Sequence, residues 1–260
     1  MFNEKKLTLI GEDDVHVWTV DPEKLMNKNL LSVFQTLLSL DERQKVARYR
    51  LNSAKHNALI TRVFLRFVLS QYAAISPKDW RFSYSDLGKP EIANANIALR
   101  FNLSHNTRLI ICAICLHNDI GCDVENLSRK ISITPIAKRF FSTKEAIDIQ
   151  NLPDHLQGKG FFERWTLKES FVKATGQGIT KGLSSFRFEL KTTAAKKYHD
   201  DINLYTDNNN KVDNNWFSAL LYPDEIHCIA LSVNTAQKQQ VILKKDSQSL
   251  MLKLFNISSE

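Results

Sequence analysis

The sequence contains no long hydrophobic run and no secretory signal. Its longest unbroken apolar stretch, Leu109–Leu116, has eight residues, whereas a membrane-spanning helix needs about 20. The first residues, MFNEKKLTLIGEDD, are charged from the start and lack the apolar segment of a signal peptide. We therefore expect a protein that has no membrane span and is located in the cytoplasm.

Cysteine is also scarce. The 260 residues include only Cys112, Cys115, Cys122 and Cys228, and this low density indicates free thiols in a reducing compartment rather than a disulfide framework. Cys112 and Cys115 have the C-x-x-C spacing of zinc ligands, but they fall in a strand-like run, where positions i and i+3 point to opposite faces. Since no second ligand pair follows, we interpret them as buried strand cysteines.

The chain has no excess of acidic residues. Its 35 Lys and Arg against 28 Asp and Glu give a net charge of +7, which favours an acidic partner: nucleic acid, a phosphorylated cofactor or an acidic protein. A phosphate-binding loop of the type Gly-x-x-x-x-Gly-Lys-Ser/Thr does not occur, and neither does a nucleic-acid-binding motif. The length suits one large domain or two small ones.

The most informative stretch that is present is Phe161–Gly178, FFERWTLKESFVKATGQG. If it is a helix, Trp165, Glu169 and Lys173 recur at i, i+4 and i+8 and lie along one stripe. Such a stripe fits two structures: a surface helix with an ordinary Glu–Lys pair, or a site for a metal ion and an anion. The stretch alone does not decide between them.

A second acidic pattern lies in the predicted strand Ile120–Glu125. Asp123 and Glu125 are two residues apart, so both carboxylates face the same side of a strand. Neighbouring carboxylates repel each other unless a cation lies between them, and a hard divalent ion such as Mg²⁺ accepts such ligands. The alternative is a pair of solvent-facing acids. We predict that this strand pairs with Leu109–Leu116 through a hairpin turn at 117–119.

Other segments give weaker predictions. Ser39–Glu42 and Ser142–Glu145 have capping-box spacing, and the first opens a helical region that runs to about Tyr72. The other predicted elements are strands at His16–Val20, Phe186–Leu190, Trp216–Leu221 and Cys228–Val233, a helix at Leu30–Leu40, a loop at Gln150–Gly160, hairpin signals at 207–210, and a peripheral helix or loose tail at Val241–Phe255.

The two halves of the chain are similar in pattern. Ala47-Arg-Tyr-Arg50 precedes one long helix much as Ala137-Lys-Arg-Phe-Phe141 precedes another, and each half also has strands. This predicts two α/β lobes, joined near 117–120, with a cleft between them. The basic residues of the first half are either a solvated face or a phosphate pocket.

Three motifs then stand in order along the chain: Phe101-Asn-Leu-Ser-His105, Ile120-Gly-Cys-Asp-Val-Glu125, and Trp165-Thr-Leu-Lys-Glu-Ser-Phe-Val-Lys173. Together with Gly88-Lys-Pro90 and the Ala137–Phe141 segment, this set resembles the 4′-phosphopantetheinyl transferase superfamily, in its larger two-lobed, surfactin-synthetase-activating type. The resemblance covers roughly residues 38–190, and its specificity lies in the ordered set.

The resemblance implies an α+β fold of two similar α/β lobes in a pseudo-twofold arrangement, each a small antiparallel sheet with a long packed helix. The lobes would be residues 1–118, with the coenzyme A nucleotide contacts, and 119–235, with the metal site and carrier docking, followed by a tail at 236–260. Such an enzyme moves the 4′-phosphopantetheine arm of coenzyme A to a carrier-protein serine, depends on Mg²⁺, and releases 3′,5′-ADP.

The resemblance also implies a set of site residues. The Mg²⁺ ligands would be Asp123, Glu125 and Glu169, with Glu125 able to act through water. Asp123, Glu169, Lys173 and Glu145 would be catalytic, Glu145 as the general base. The coenzyme A contacts would be Arg43, Lys45, Arg48, His56, Lys89, Ser104, His105 and Lys173. The sequence departs from the family at Glu42, where a cation is expected, and at Ala58, where a small hydroxyl is expected.

The implied partners are carrier proteins of fatty-acid, polyketide or nonribosomal peptide synthesis, which places the enzyme in secondary metabolism. Docking is expected on Ser128–Gly160, through basic and aromatic residues: Arg129, Lys130, Lys138, Arg139, Phe140 and Phe141. We expect a monomer with no nucleic-acid or membrane partner. The alternatives are a Mg²⁺-dependent nuclease or nucleic-acid binder, and a non-catalytic carrier-protein binder.

Overall fold

The computed structural model describes residues 7–176, 178, 182–191, 197–206, 211–245 and 247–254. Twelve strands lie in these residues: β1 (Asp14–Val20), β2 (Phe82–Tyr84), β3 (Pro90–Ile92), β4 (Leu99–His105), β5 (Ile110–Leu116), β6 (Ile120–Asn126), β7 (Arg187–Leu190), β8 (Tyr198–His199), β9 (Ile202–Tyr205), β10 (Trp216–Leu221), β11 (His227–Asn234) and β12 (Gln240–Lys244).

The same residues contain the helices α1 (Lys28–Leu37), α2 (Leu40–Ala47), α3 (Asn52–Leu69), α4 (Ile133–Phe140), α5 (Thr143–Gln150), α6 (Asp154–Thr175) and α7 (Ser247–Leu254). Among them, none has both the length and the hydrophobicity needed to span a bilayer.

The two lobes repeat one arrangement. In the first lobe, β5 lies between β1 and β4 and is antiparallel to both. In the second lobe, β11 lies between β6 and β10 and is antiparallel to both. In each case a long helix, α3 or α6, connects the first strand of the set to the other two. The α+β fold of two lobes, each with an antiparallel sheet and a long helix, is therefore confirmed.

The apolar residues form cores on both sides of each sheet. Val17 and Ile111 of the first sheet pack with Cys122 and Val124 of β6 and Ile229 of β11, so the two sheets face each other. On the outer side of the first sheet, α3 buries its apolar stripe against β1 and β5. On the outer side of the second sheet lies α6. Because Cys122 and Val124 face the inner core, Gly121, Asp123 and Glu125 face α6.

Both predicted capping boxes are present. The Ser39 hydroxyl accepts from the backbone N–H of Glu42 at the start of α2, and Ser142 does the same with Glu145 at the start of α5. In both, the Glu carboxylate accepts from the Ser backbone in return. These local interactions fix where the two helices begin.

Two long-range predictions are wrong. β5 and β6 do not form a hairpin, because both edges of β5 are already paired with β1 and β4, and β6 pairs with β11 in the other sheet. The helical region after Ser39 is also not continuous. It breaks at 48–51, which lets α2 fold back so that Glu42 forms a buried ion pair with Arg66 of α3.

Two further segments differ from expectation. Residues Asp154–Gly160 are helical rather than a loop; Gly160 packs so closely on Leu152 that a Cβ there would overlap the Leu152 side chain. The segment from residue 240 is not a loose tail, because β12 pairs in parallel with β1. α7 follows it as the predicted helix, and its Met251 is fully buried in the core of the first lobe. The hairpin signals at 207–210 lie outside the described residues.

Candidate active site

The site is built where α6 crosses β6. A Cβ on Gly121 would overlap the backbone carbonyl oxygen of Ser170 and the backbone nitrogen of Ala174, so only glycine permits this approach of helix to strand. Asp123 lies two residues further along the same face of β6. The crossing therefore brings Asp123 beside Glu169 and Lys173, which lie one turn apart on α6.

Asp123 is the centre of a partly buried polar network. Its Oδ1 accepts hydrogen bonds from Lys173 Nζ at 2.6 Å and from Ser104 Oγ at 2.7 Å, and Lys173 Nζ also lies 3.1 Å from Ser104 Oγ. Burial lowers the pKa of Lys173, but the charge and hydrogen bond of Asp123, together with Cys122 and Glu169, outweigh burial and leave that pKa above its ordinary value. Because Ser104 belongs to β4 of the first lobe, the network joins the two lobes.

The other two carboxylates are less well compensated. Glu125 accepts one hydrogen bond from Arg129 Nη1 at 2.8 Å, while Glu169 has no hydrogen bond or ion pair with any described residue. Burial first, and then the charge of Asp123, raise the pKa of both Glu125 and Glu169. The three carboxylates thus lie within electrostatic reach of one another, and their charges repel.

These residues fit a hard divalent cation. Carboxylate oxygens are the ligands that Mg²⁺ takes in proteins, and mutual repulsion with a raised pKa is what a bound cation would relieve. In the side-chain positions of the described residues, however, no three His, Cys, Asp or Glu groups are close enough together to hold a metal ion. Arg129 and Lys173 instead hold two of the carboxylates. Cation binding would therefore require these side chains to rearrange.

His105 and Arg62 extend the site into the first lobe. The pKa of His105 is lowered by desolvation, and then by the charges of Lys173 and Arg62. Arg62 also acts on the pKa of Tyr84, which burial raises. Arg62 was not predicted as a site residue; the available signal was a cation within the apolar stretch Ala58–Leu69 of α3. Its positive charge is therefore within electrostatic reach of both His105 and Tyr84.

Those basic residues lie apart from the carboxylates. Lys45 Nζ lies 4.1 Å from the centre of the Tyr84 ring, Arg43 Nη1 donates to the Leu38 carbonyl at 3.0 Å, and Arg48 is exposed at the end of α2. His56 Nε2 lies 2.8 Å from the Pro22 carbonyl oxygen. The α2–α3 region therefore presents cations beside an aromatic ring.

The two departures from the family have structural explanations. Glu42 caps α2 and pairs with Arg66 at 2.6 Å, with both side chains buried. It is therefore part of the core of the first lobe. Ala58 is buried at the start of the apolar stripe of α3, where a hydroxyl would need a hydrogen-bond partner.

Lys89 reaches across to the second lobe. Its Nζ donates to the carbonyls of Ala174 at 3.3 Å and Ile120 at 3.4 Å, and burial lowers its pKa. Gly88 precedes it with a φ of 81°, a left-handed conformation that favours glycine. The Gly-Lys-Pro motif thus forms a turn whose lysine contacts the elements that hold the carboxylates.

The geometry argues against Glu145 as a general base. Its carboxylate is 1% exposed and pairs with the fully buried Lys168 at 2.9 Å. It also accepts from the Ser142 backbone N–H and hydroxyl and from the Phe188 N–H. A substrate hydroxyl cannot reach it without breaking this network. The physical role of Glu145 is to join α5, α6 and β7.

The predicted docking segment is only partly a surface. Phe141 is buried and stacks on Phe161 at 5.2 Å, so it belongs to the core. Phe140 is half-buried against Trp165, with the Arg139 guanidinium 5.0 Å from its ring. Lys130, Lys138 and Arg139 are exposed. The surface is therefore basic, with little aromatic area of its own.

Two protein-family models match the chain. The model described as "4'-phosphopantetheinyl transferase superfamily" matches residues 119–232. A second, described as "4'-phosphopantetheinyl transferase, N-terminal", matches residues 25–117. The first match contains Asp123, Glu169 and Lys173, and the second contains Ser104 and His105.

Three relatives agree with the family models. The 4'-phosphopantetheinyl transferase HetI of Nostoc sp. is 35% identical over 193 residues, which are 74% of this chain and 80% of the relative. The 4'-phosphopantetheinyl transferase Sfp of Bacillus subtilis is 36% identical over 60% of this chain and 68% of its own. The 4'-phosphopantetheinyl transferase gsp of Aneurinibacillus migulanus is 30% identical over 66% and 70%.

Proposed function

Because the chain belongs to the 4′-phosphopantetheinyl transferase superfamily, and is a two-lobed enzyme that transfers phosphopantetheine to carrier proteins, we propose that Asp123, Glu125 and Glu169 form its magnesium and pyrophosphate site. The observation that supports this most is the network of Asp123, Lys173 and Ser104 beside the unpaired Glu169. A divalent cation bound by these carboxylates would neutralise the pyrophosphate of coenzyme A.

The residues around the carboxylates would then hold the substrate. Lys173 and Ser104 donate to the single oxygen Oδ1 of Asp123, and both donors can turn to a phosphate oxygen once that oxygen binds a cation. His105, the last residue of β4, lies within electrostatic reach of Lys173. These groups would stabilise the negative charge that develops on the pyrophosphate as its P–O bond breaks.

We assign the nucleotide end of coenzyme A to residues 1–118 of the first lobe, and the metal and carrier sites to residues 119–235. The family uses coenzyme A. Lys45, Arg43 and Arg48 of α2 supply the cations for its 3′-phosphate, and Tyr84 offers an aromatic face beside Lys45. Arg62 is within electrostatic reach of both Tyr84 and His105 and would contact the phosphates that join the two ends of the substrate.

The acceptor is a carrier protein of fatty-acid, polyketide or nonribosomal peptide synthesis. We propose that it docks on the surface formed by Lys130, Lys138 and Arg139. These side chains are exposed, and a basic surface would steer an acidic partner to the cleft by electrostatic attraction.

A metal titration tests the proposed site. The variants Asp123→Asn and Glu169→Gln keep the side-chain size and remove one negative charge each. Direct binding of Mn²⁺, followed by electron paramagnetic resonance, should weaken at least about tenfold in both, because each loses a charged ligand. Asp119→Asn, in the connection between β5 and β6, is the matched control and should bind as the parent does. Parental binding by all three variants would refute the assignment.

A further inference from the structure

Arg129 forms a contact that the transfer reaction does not require. Its Nη1 donates to Glu125 Oε2 at 2.8 Å, and its guanidinium lies 5.9 Å from the centre of the Phe162 ring. Glu125 is one of the three clustered carboxylates. Arg129 therefore occupies an oxygen that a divalent cation would need.

The backbone holds Arg129 in this position. The Asn126 side chain accepts from the backbone N–H of Ser128, and the Asn126 carbonyl accepts from the N–H of Arg129. This tight turn directly follows β6, and Leu127 is tied to the second sheet through the Ile226 carbonyl. The turn aims the Arg129 side chain back along the strand at Glu125.

The two partners differ in their access to solvent. The Arg129 side chain is 55% exposed, whereas that of Glu125 is 16% exposed. An exposed guanidinium can leave at little cost, because ion pairs that border solvent contribute little to stability. Glu125 is less accessible to water, and burial already raises the pKa of its carboxyl group. Water therefore compensates the Glu125 charge less well than Arg129 does. The pair is thus stable without a cation and easily broken by one.

The charges of the cluster favour such an exchange. Three carboxylates against Lys173 and Arg129 leave a net charge of −1 (−3 + 2). A divalent cation added to this arrangement would make the net charge +1, and Arg129 would then be repelled by the cation. Once it leaves Glu125, its guanidinium is free beside Lys130, on the basic docking surface.

We propose that Arg129 is a built-in counter-cation for Glu125, that a divalent cation displaces it, and that the displaced guanidinium then binds an acidic side chain of the carrier protein. This inference rests on the proposed metal site. It makes binding of the divalent cation and binding of the carrier protein cooperative, because each of them favours the state in which Arg129 has left Glu125. The coupling is reciprocal. Cation binding prepares the docking surface, and a docked carrier strengthens cation binding.

The first test measures metal affinity without substrate. Arg129→Gln should bind Mn²⁺ about fivefold more tightly than the parent, because the competing charge is gone; this factor corresponds to the upper value for an exposed ion pair. Lys130→Gln is the matched control: it removes the same charge from the next residue, and Lys130 has no ion pair with a described residue. Equal affinity of the two variants would overturn the inference.

The second test measures coupling to the carrier. The probe is an acidic peptidyl carrier domain whose acceptor serine is replaced by alanine, so that no transfer occurs. The parent should bind it several-fold more tightly in Mg²⁺ than in EDTA, and Arg129→Gln should bind it equally in both. A metal effect that persists in Arg129→Gln would refute the coupling. If the parent itself bound no Mn²⁺, or Asp123→Asn bound it normally, the proposed metal site would fail instead.

Discussion

Two acid–base pairs of the same chemistry have different roles in this protein, and accessibility separates them. Lys173 is 30% exposed and Asp123 is 10% exposed, so their pair borders solvent and a ligand can enter it. Lys168 and Glu145 are 0% and 1% exposed, and Lys168 also donates to two backbone carbonyls. The first pair is available for chemistry, and the second is part of the core.

We predict that Glu145→Gln lowers the stability of the protein strongly and the rate of transfer only slightly. Removing one partner of a buried pair costs about 3–5 kcal/mol, because Lys168 is left buried and unpaired. A Tm lower by roughly 10 °C should follow. The rate of transfer per folded molecule should stay within about tenfold, whereas loss of a general base costs about 10²–10⁴-fold.

The matched variant combines Glu145→Gln with Lys168→Met and removes both charges. It should recover part of the lost Tm, since no uncompensated charge remains. A normal Tm with a transfer rate lower by 10²-fold or more would show instead that Glu145 acts on the substrate.

A separate prediction concerns His16 and acid stability. Trp18 Nε1 donates to the Tyr72 hydroxyl, which is also hydrogen-bonded to Nδ1 of His16, a residue that is 1% exposed. Burial, and then Lys244, lower the pKa of His16 to about 4. The unfolded chain therefore binds more protons below about pH 6.5, and up to about 3 kcal/mol of stability is lost as the pH falls to 4.

Urea unfolding of the parent and of His16→Gln between pH 7 and pH 4 measures this effect. The variant should lose less stability over that interval, and His155→Gln, at an exposed position, should follow the parent. Identical pH profiles for the parent and His16→Gln would contradict the assignment.

At the scale of elements, the crossing of β6 and α6 explains the motif Gly-x-Asp-x-Glu. The glycine admits the helix backbone, and Asp123, which follows on the same face, pairs with Lys173 of that helix. The sequence shows that Asp123 and Glu125 share a face, because strands have a period of two. It does not show the crossing, because the contact of Gly121 with Ser170 joins residues far apart in the chain.

Gly121→Ala should therefore disrupt the site. Its Cβ meets backbone atoms of α6 that cannot rotate away, and we expect a loss of about 1–3 kcal/mol together with a slower transfer rate. Gly158→Ala, on α6 itself, meets no atom within 4 Å and should gain up to about 1 kcal/mol. Chemical denaturation of both variants tests the comparison, and equal stability would contradict it.

Local signals predict local features well, and tertiary features poorly. Both capping boxes follow from residues three positions apart, which meet in any helix that starts there. The predicted hairpin between β5 and β6 failed because strand pairing depends on which edges other strands have filled. The role of Glu145 as a general base was predicted without knowledge of its partners, because Lys168 and Phe188 come from other elements.

At the scale of the whole molecule, the end of the chain completes the first lobe. β12 pairs with β1, and α7 packs Met251 into the core that α3 and β5 form. The sequence did not predict that the C-terminal segment packs on the first lobe, since a short basic and apolar segment is equally typical of a surface helix. The chain therefore runs from the first lobe to the second and back.

Met251→Ala should destabilise the first lobe. A fully buried Met replaced by Ala costs about 2–5 kcal/mol. Met26→Ala is the matched control, since Met26 is 60% exposed and should change stability by less than about 0.5 kcal/mol. If thermal unfolding showed the two variants to be equally stable, the C-terminal segment would not be part of the core.

The family and its activity could be predicted from the sequence, because the motifs that the resemblance relies on lie in a fixed order along the chain. The same match rules out a nuclease as the interpretation of the acidic cluster. Arg129 could not be predicted as a neighbour of the cluster, since a turn brings it to Glu125. Arg62 could not be predicted as a charge near His105, since the two residues lie in different elements. The two lobes together make the site, through Ser104 on one side and Asp123 on the other.

The central claim is that one split site, with Asp123 on β6 and Glu169 on α6, performs the transfer. Intact-protein mass spectrometry of an apo carrier protein, incubated with coenzyme A and Mg²⁺, tests it most directly. The parent should add the phosphopantetheine mass, on the order of 340 Da, and lose this activity in EDTA. Asp123→Asn and Glu169→Gln should be slower by at least about 100-fold. Modification at the parental rate by both variants would contradict the account.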